Sequence, residues 1–166
     1  MTPDDLAKAG TEHAHQRALF AWAAMAERFG FAAANADCCY VSRVFADTFT
    51  AGRCEPQPAL KRLHAIPNGG QRHKAVAGKL KAEGVKRGVP DVSLPVPMWP
   101  FNGFYLEMKK PGELNSTSPE QKDWIRELRQ LGYCVLVRDN WRAAAAAIQA
   151  YLTCAITLKD ENDSAI

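Results

Sequence analysis

The sequence lacks several features that would place the protein in a membrane or outside the cell. It contains no uninterrupted apolar run of the ~18 residues that a membrane helix needs. Its N-terminus has neither a basic start nor the apolar core of a secretion signal. Five cysteines, an odd and irregularly spaced set, do not suggest a disulfide framework. We therefore expect one folded domain with reduced thiols, located in a cytoplasm and without a membrane segment.

Acidic residues are also scarce in one part of the chain, residues 61–88. This segment has eight lysines and arginines but a single acid, Glu83, which gives a local excess of +7 although the whole chain carries only +3. A surface of this kind suits phosphate groups. A solvated helix face has the same composition, so charge alone leaves both interpretations open.

Just after this segment, the mainly apolar stretch GVPDVSLPVPMWPFNGFYLEMKKPG carries charges near both of its ends. Two strands are predicted in it, at 89–96 and 104–109, and together they form an antiparallel hairpin. Side-chain alternation puts Glu107 and Lys109 on one face of the second strand. The hairpin brings Asp91 close to Glu107. Charges inside a sheet are costly unless they are paired, so these three residues call for a chemical explanation.

A divalent metal ion would explain the three charges. Two neighbouring carboxylates, Asp91 and Glu107, repel each other unless a cation lies between them, and Mg²⁺ prefers hard oxygen ligands. The Met108 carbonyl is a further candidate ligand. Lys109 is then placed to hold or deprotonate a water that attacks a phosphodiester. The alternative is a surface salt bridge of little energetic value.

Two polar residues on predicted helices are candidates for the same site. Gln121 forms a capping box with Ser118, and its amide either reaches the site or serves only as a cap. Glu12 follows the N-cap Thr11 and either adds a carboxylate or only favours the helix dipole. Gln16, on the same helix, is a second candidate.

Periodicity and capping residues predict the remaining elements. They are a helix from Thr11 to about Phe29, a strand at Leu63–Ile66, a helix at about 71–83, a helix from Ser118 to Gly132, a strand at 133–137 and a helix from Trp141 to about Leu152. The apolar stripes of two helices extend to Phe29 and Leu131. Residues 31–60 are treated as an inserted helix or loop. The order of elements predicts a mixed α/β sheet.

Several motifs, in this order and spacing, resemble the VRR-NUC (virus-type replication-repair nuclease) family of the PD-(D/E)XK nuclease superfamily. They are IPNGGQR, GVPD, GFYLEMKKPG, SPEQKDW and GYCVLV, and the resemblance covers roughly residues 11–30 and 62–152. It implies a restriction-endonuclease-like mixed sheet flanked by helices. It also implies that Asp91, Glu107 and Glu12 are metal ligands, that Lys109 is the catalytic lysine, and that Gln121 is the glutamine following the core motif.

By the same resemblance, the protein is expected to be a Mg²⁺- or Mn²⁺-dependent DNA endonuclease and a homodimer. Its substrates would be branched, nicked or flapped DNA, including Holliday junctions, and a phage-encoded member would act in the cytoplasm of a bacterial host. The candidate DNA contacts are Asn68, Arg72, Lys74, Lys79, Lys86 and Arg87. The implied organisation is an N-terminal extension at 1–10, a nuclease domain at 11–152 with the insertion at 31–60, and a polar tail at 153–166.

Other interpretations stay open at this stage. The fold could serve as a catalytically silent DNA-binding module, or as a domain whose basic face binds acidic proteins. Cys38, Cys39 and Cys54, with His64 nearby, have no ordinary zinc-site spacing. Trp99 and Phe101, in the loop of the hairpin, would either stack on unpaired bases or pack at a dimer interface.

Overall fold

The computed structural model describes residues 1–35, 55–67 and 74–156, and only the backbone of residues 74–77. The helices are α1 Pro3–Ala7, α2 Glu12–Asn35, a 3₁₀ helix Pro58–Arg62, α3 Lys74–Ala82, α4 Pro119–Gln130 and α5 Trp141–Leu152. The strands are β1 His64–Ala65, β2 Val92–Leu94, β3 Phe104–Met108 and β4 Cys134–Arg138. None of the helices in these ranges is long and apolar enough to cross a membrane.

The strands form one mixed sheet in the order β1-β2-β3-β4. β1 and β2 pair antiparallel, as do β2 and β3, whereas β4 lies parallel to β3. The predicted hairpin is therefore confirmed, and α4 connects the two parallel strands. Val92 pairs with Leu106, and this register sets Asp91 opposite Glu107.

Each face of the sheet packs against helices. Phe104, Leu106 and Met108 are fully buried on the face that packs against Trp22 of α2 and Ile148 of α5. The opposite face carries Val135 and Val137 of β4, which pack with Ile125 and Leu128 of α4. The predicted alternation along β3 is confirmed, since its apolar set faces the larger core.

Local capping signals correctly predicted two helix starts. The Ser118 hydroxyl accepts a hydrogen bond from the Gln121 N–H, with Pro119 at the first helical position. The Asn140 side chain accepts one from the Ala143 N–H at the start of α5. Each cap satisfies a backbone donor that the helix itself leaves without a partner.

Two predicted core positions are wrong, one just before a kink inside α2 and the other just after the end of α4. Phe29 is 37% exposed because α2 kinks at Gly30, which has a φ of +83°. Leu131 is 64% exposed because α4 ends at Gln130 and the Leu131 backbone has left the helical conformation. In each case the predicted apolar stripe reached the point where the regular helix is interrupted, so its last residue does not face the core.

Three predicted strands are shorter in the structure, and β3 differs least, since it ends at Met108 rather than at residue 109. β2 covers Val92–Leu94 rather than 89–96, because prolines on both sides lack the N–H that a ladder needs and Val96 N–H bonds to the nearby Leu94 carbonyl instead. β1 is the pair His64–Ala65. Of residues 31–60, the first five continue α2 and the last three begin the 3₁₀ helix. Cys38, Cys39 and Cys54 lie outside the described residues.

Candidate active site

The open end of the hairpin brings Asp91 and Glu107 together. Asp91 directly precedes β2, and its Oδ2 accepts a hydrogen bond of 2.9 Å from the Met108 N–H on β3. The Met108 side chain is fully buried on the other face, so only its main chain can reach this site. The first acid is therefore fixed to the strand that carries Glu107 and that Lys109 directly follows.

Glu107 and Lys109 are buried charges. They are 1% and 6% exposed, and Lys109 Nζ lies 2.9 Å from Glu107 Oε1. The interpretation of this pair as a surface salt bridge is therefore wrong. Within the described part of the chain, the other carboxylate oxygen, Glu107 Oε2, is buried without a hydrogen-bond partner. Burying an oxygen without a hydrogen bond is costly. The Glu107 carboxyl group therefore has only part of its hydrogen-bonding capacity met by the described residues.

Gln121 combines the two roles that the sequence left as alternatives. Its Oε1 accepts a hydrogen bond from the Ser118 N–H at 2.9 Å, as a capping residue does, and another from Lys109 Nζ at 2.8 Å. Its Nε2 donates a short hydrogen bond to Glu107 Oε1. The first turn of α4 therefore holds both buried charges in place.

The electrostatics of the site disfavour a second negative charge. Burial and the charge of Asp91 together raise the pKa of Glu107 to about 8, although the hydrogen bond from Lys109 opposes both effects. The Glu107 carboxyl therefore favours its neutral form more than an exposed glutamate does. A divalent cation beside the two carboxyl groups would reverse this preference.

Glu12, at the start of α2, faces the same site although its side chain is exposed. Partial loss of hydration raises the pKa of its carboxyl, and the charge of Asp91 raises it further, while Lys109 lowers it. Gln16, one helical turn further along, is half-buried. The structure thus places a third carboxylate within electrostatic reach of the hairpin.

The donor set fits a hard divalent cation with few protein ligands. Asp91 and the unpartnered oxygen of Glu107 supply carboxylate oxygens, and Mg²⁺ commonly completes its coordination with water or phosphate oxygens. Among the residues described, no three His, Cys, Asp or Glu side chains are close enough together to form a metal-binding cluster.

The candidate DNA contacts are only partly visible. Lys79 is exposed and lies 3.8 Å from Glu83, one turn further along α3. Lys86 and Arg87 are exposed in the loop that leads to Asp91. The charge of Arg87 helps to lower the pKa of Glu120, which indicates that Arg87 lies near the start of α4. Asn68 and Arg72 are outside the described residues, as is the side chain of Lys74.

Asp139, directly after β4, was not among the residues predicted from the sequence. Its Oδ2 accepts a hydrogen bond of 3.0 Å from the Gly112 N–H, and the Lys109 N–H donates to the Arg138 carbonyl at 2.8 Å. These contacts fix the segment after the catalytic lysine candidate onto β4. The signal was available, since an acid that follows a buried strand lies at the same sheet edge as the end of its parallel neighbour.

The two aromatic residues in the loop of the hairpin, Trp99 and Phe101, differ in exposure. Phe101 is 5% exposed and packs near Tyr151, so its interpretation as a base-stacking residue is wrong. Trp99 is 88% exposed. Only Trp99 is available there to a base or to a second protein surface.

Comparison with solved structures supports the resemblance seen in the sequence. A protein described as a VRR_NUC domain protein matches with a TM-score of 0.57 and 26% identity, over 86% of this chain and 88% of that one. Neither protein-family models nor curated proteins gave a match. The chain therefore has the α/β nuclease-type fold of this neighbour, with a four-stranded mixed sheet flanked by helices. The likeness supports the VRR-NUC family in particular.

Proposed function

We propose that this protein is a metal-dependent DNA endonuclease that hydrolyses phosphodiester bonds in branched, nicked or flapped DNA. The observation that carries the proposal is the buried Glu107, opposite Asp91 in the hairpin. One of its oxygens has no hydrogen-bond partner among the described residues, while Lys109 and Gln121 hold the other. The likeness to a VRR_NUC domain protein supports a nuclease reaction.

The metal ligands in this proposal are Asp91 and Glu107, with the Met108 carbonyl and Glu12 as further oxygen donors. When bound, Mg²⁺ or Mn²⁺ would polarise a phosphate oxygen and compensate the negative charge that develops during hydrolysis. Asp91 is held by the Met108 N–H and Glu107 by Gln121 and Lys109, so both carboxyl groups are already fixed in the protein.

Lys109 would act on the attacking water or on the phosphate. An ammonium group has three donors, and its contacts with Glu107 and Gln121 use two of them. The third is left to hold a water or a phosphate oxygen. Because Gln121 contacts both Lys109 and Glu107, its role in the proposal is to keep the ammonium group and the carboxylate in a fixed arrangement.

DNA would approach across the basic loop before the site. Lys86 and Arg87 are exposed and only a few residues from Asp91, and Lys79 is exposed on α3. Asn68, Arg72 and Lys74 remain predicted backbone contacts. Binding through phosphates should weaken steeply as salt concentration rises.

The resemblance also carries the proposals of a homodimer and of action in a bacterial cytoplasm. Light scattering coupled to size exclusion tests the first of these. A single-chain mass in solution would contradict it.

A cleavage assay tests the enzymatic proposal. Junction, flapped, nicked and intact duplex DNA are incubated with Mg²⁺ or Mn²⁺ and with wild type, Glu107→Gln or Glu113→Gln. Glu113 is an exposed glutamate that pairs with Lys110, so it serves as the matched control. We expect wild type and Glu113→Gln to cut only with metal, and Glu107→Gln to lose about 10²-fold or more. Equal cutting by all three folded proteins would indicate a contaminant and contradict the proposal.

A catalytically silent DNA-binding module is the second candidate. The intact set of Asp91, Glu107 and Lys109, held together on the hairpin, argues against it. Salt-sensitive DNA binding by wild type without cleavage in either metal would support this alternative.

A further inference from the structure

We propose that Gly88 is a positioning residue that sets the distance between the two halves of the candidate site. This inference rests on the proposed function for its catalytic meaning, but not for its structural test. One half is the loop that leads into Asp91, and the other is the first turn of α4, which carries Gln121.

Gly88 lies directly against the backbone of α4. Its φ is +85°, and a Cβ built on it would lie 2.7 Å from both the carbonyl carbon and the oxygen of Glu120. Carbon atoms in contact are normally 3.5–4.0 Å apart, so any side chain here requires a displacement of about 1 Å. The nearby atoms are mainly backbone of a capped helix, which cannot move aside as the end of a flexible side chain can.

The contact connects the two halves by a short path. Asp91 is three residues after Gly88, with the buried Pro90 between them, and Gln121 is the residue after Glu120. Asp91 is bonded to β3 through Met108, and Gln121 reaches β3 through Glu107 and Lys109. A side chain at position 88 would therefore push the turn that carries Gln121 away from the strand that carries its partners.

A second glycine provides a matched control. Gly84 has a φ of +92°, similar to that of Gly88, but a Cβ built on it meets no atom within 4 Å. Alanine at either position adopts an unfavourable backbone conformation, whereas only alanine at position 88 meets the helix. The pair thus separates backbone strain from the contact with α4.

The experiment compares Gly88→Ala with Gly84→Ala. The first readout is the side-chain amide resonance of Gln121 in metal-free protein, which reports its hydrogen bonds without any cleavage. The others are Mn²⁺ affinity by calorimetry, kcat and KM for DNA, and Tm. We expect Tm to fall in both variants, and to fall more in Gly88→Ala because only its Cβ meets the helix. A shifted Gln121 resonance, weaker Mn²⁺ binding and a ~10²-fold lower kcat with little change in KM are expected only for Gly88→Ala.

The proposal is overturned if the Gln121 resonance is unchanged in Gly88→Ala or shifts equally in Gly84→Ala. Asparagine variants at both positions are measured as well, because asparagine tolerates a positive φ better than alanine does. If no position-88 variant folds while the position-84 variants do, the contact is a requirement for folding and the positioning role is wrong. If wild type neither binds Mn²⁺ nor cuts DNA but the resonance still shifts only at position 88, the proposed function fails while the positioning role stands.

Discussion

The two ends of the β2–β3 hairpin both depart from the usual burial of side chains: charged residues are buried at one end, and a large apolar residue is exposed at the other. At the open end, Glu107 and Lys109 are charged and almost completely buried. At the loop end, Trp99 is a large apolar side chain that is 88% exposed. Folded proteins usually bury the second kind and expose the first. The hairpin itself is a regular antiparallel pair, so neither arrangement follows from its backbone.

The difference lies in how each end is held. The buried charges are fixed by each other and by Gln121, yet one oxygen of Glu107 has no hydrogen-bond partner among the described residues. Under the proposed function, this oxygen is left for a cation. At the loop end, Phe101 packs into the core and the Tyr151 hydroxyl donates to the Val96 carbonyl at 2.6 Å, while Trp99 remains outside. Mutations at the open end should therefore change activity, and mutations at the loop end should affect stability only where a side chain is buried.

The largest expected effect is on cleavage, at the open end. Lys109→Ala removes the ammonium group that bonds to Glu107 and Gln121, and kcat should fall by about 10²–10⁴-fold. Lys110→Ala is the control, because Lys110 is an exposed neighbour that pairs only with Glu113, 3.3 Å away, among the described contacts. Single-turnover cleavage measures both. Equal rates in the two variants would remove Lys109 from the mechanism.

The next effect is on stability, at the loop end. Phe101→Ala deletes a buried ring and should lower the free energy of unfolding by about 3–5 kcal/mol. Trp99→Ala, two residues away, should change it by less than about 0.5 kcal/mol, because the indole is outside the core. Denaturant titration compares them. A large loss in Trp99→Ala in dilute protein would show that the indole is covered, for example by a second copy.

A smaller effect concerns the pH dependence of stability in metal-free protein. The pKa of Glu107 is raised from 4.5 to about 8, so between these values the folded protein holds a proton that the unfolded chain has released. Unfolding then releases a proton, and the contribution of Glu107 makes stability fall as pH rises from about 5 to 8, by at most about 1.4 kcal/mol per pH unit.

Glu107→Gln isolates this contribution, because glutamine does not titrate. Chemical unfolding at several pH values should give a wild-type stability that declines relative to the variant across this window. Parallel curves for the two proteins would show that folding does not raise the pKa of Glu107.

The smallest effect is on salt-dependent DNA binding. Arg87→Gln should reduce the slope of log affinity against log salt by about 1, as expected for the loss of one phosphate contact. Arg126→Gln is the control, since Arg126 is an exposed arginine on α4 that pairs with Asp123 at 2.8 Å. If both slopes stay at the wild-type value, the loop before Asp91 does not contact DNA.

The parts of this structure that the sequence predicted are those decided by near neighbours. Ser118 and Asn140 cap their helices through residues three positions away, and alternation along β3 separates Glu107 from Leu106. The exposure of Phe29 and Leu131 was predicted wrongly, because it depends on where each helix bends or ends.

The sequence predicted which residues form the candidate site, but not whether they are buried or exposed. The sequence brought Asp91, Glu107 and Lys109 together, yet it also allowed a surface salt bridge, since burial is set by the whole fold. It did not reveal the contact between Gly88 and Glu120, because residues this far apart meet only after β2, β3 and α4 have packed. The roles of the site residues remain predictions.

Calorimetric titration of Mn²⁺ into metal-free protein, with no DNA present, is the most direct test of the proposed metal site. Wild type and Glu113→Gln should each bind the ion, and Glu107→Gln should bind it far more weakly while remaining folded. Undiminished binding by Glu107→Gln, or no binding by wild type at millimolar metal, would contradict the conclusion that the buried carboxylate of this hairpin is a cation ligand.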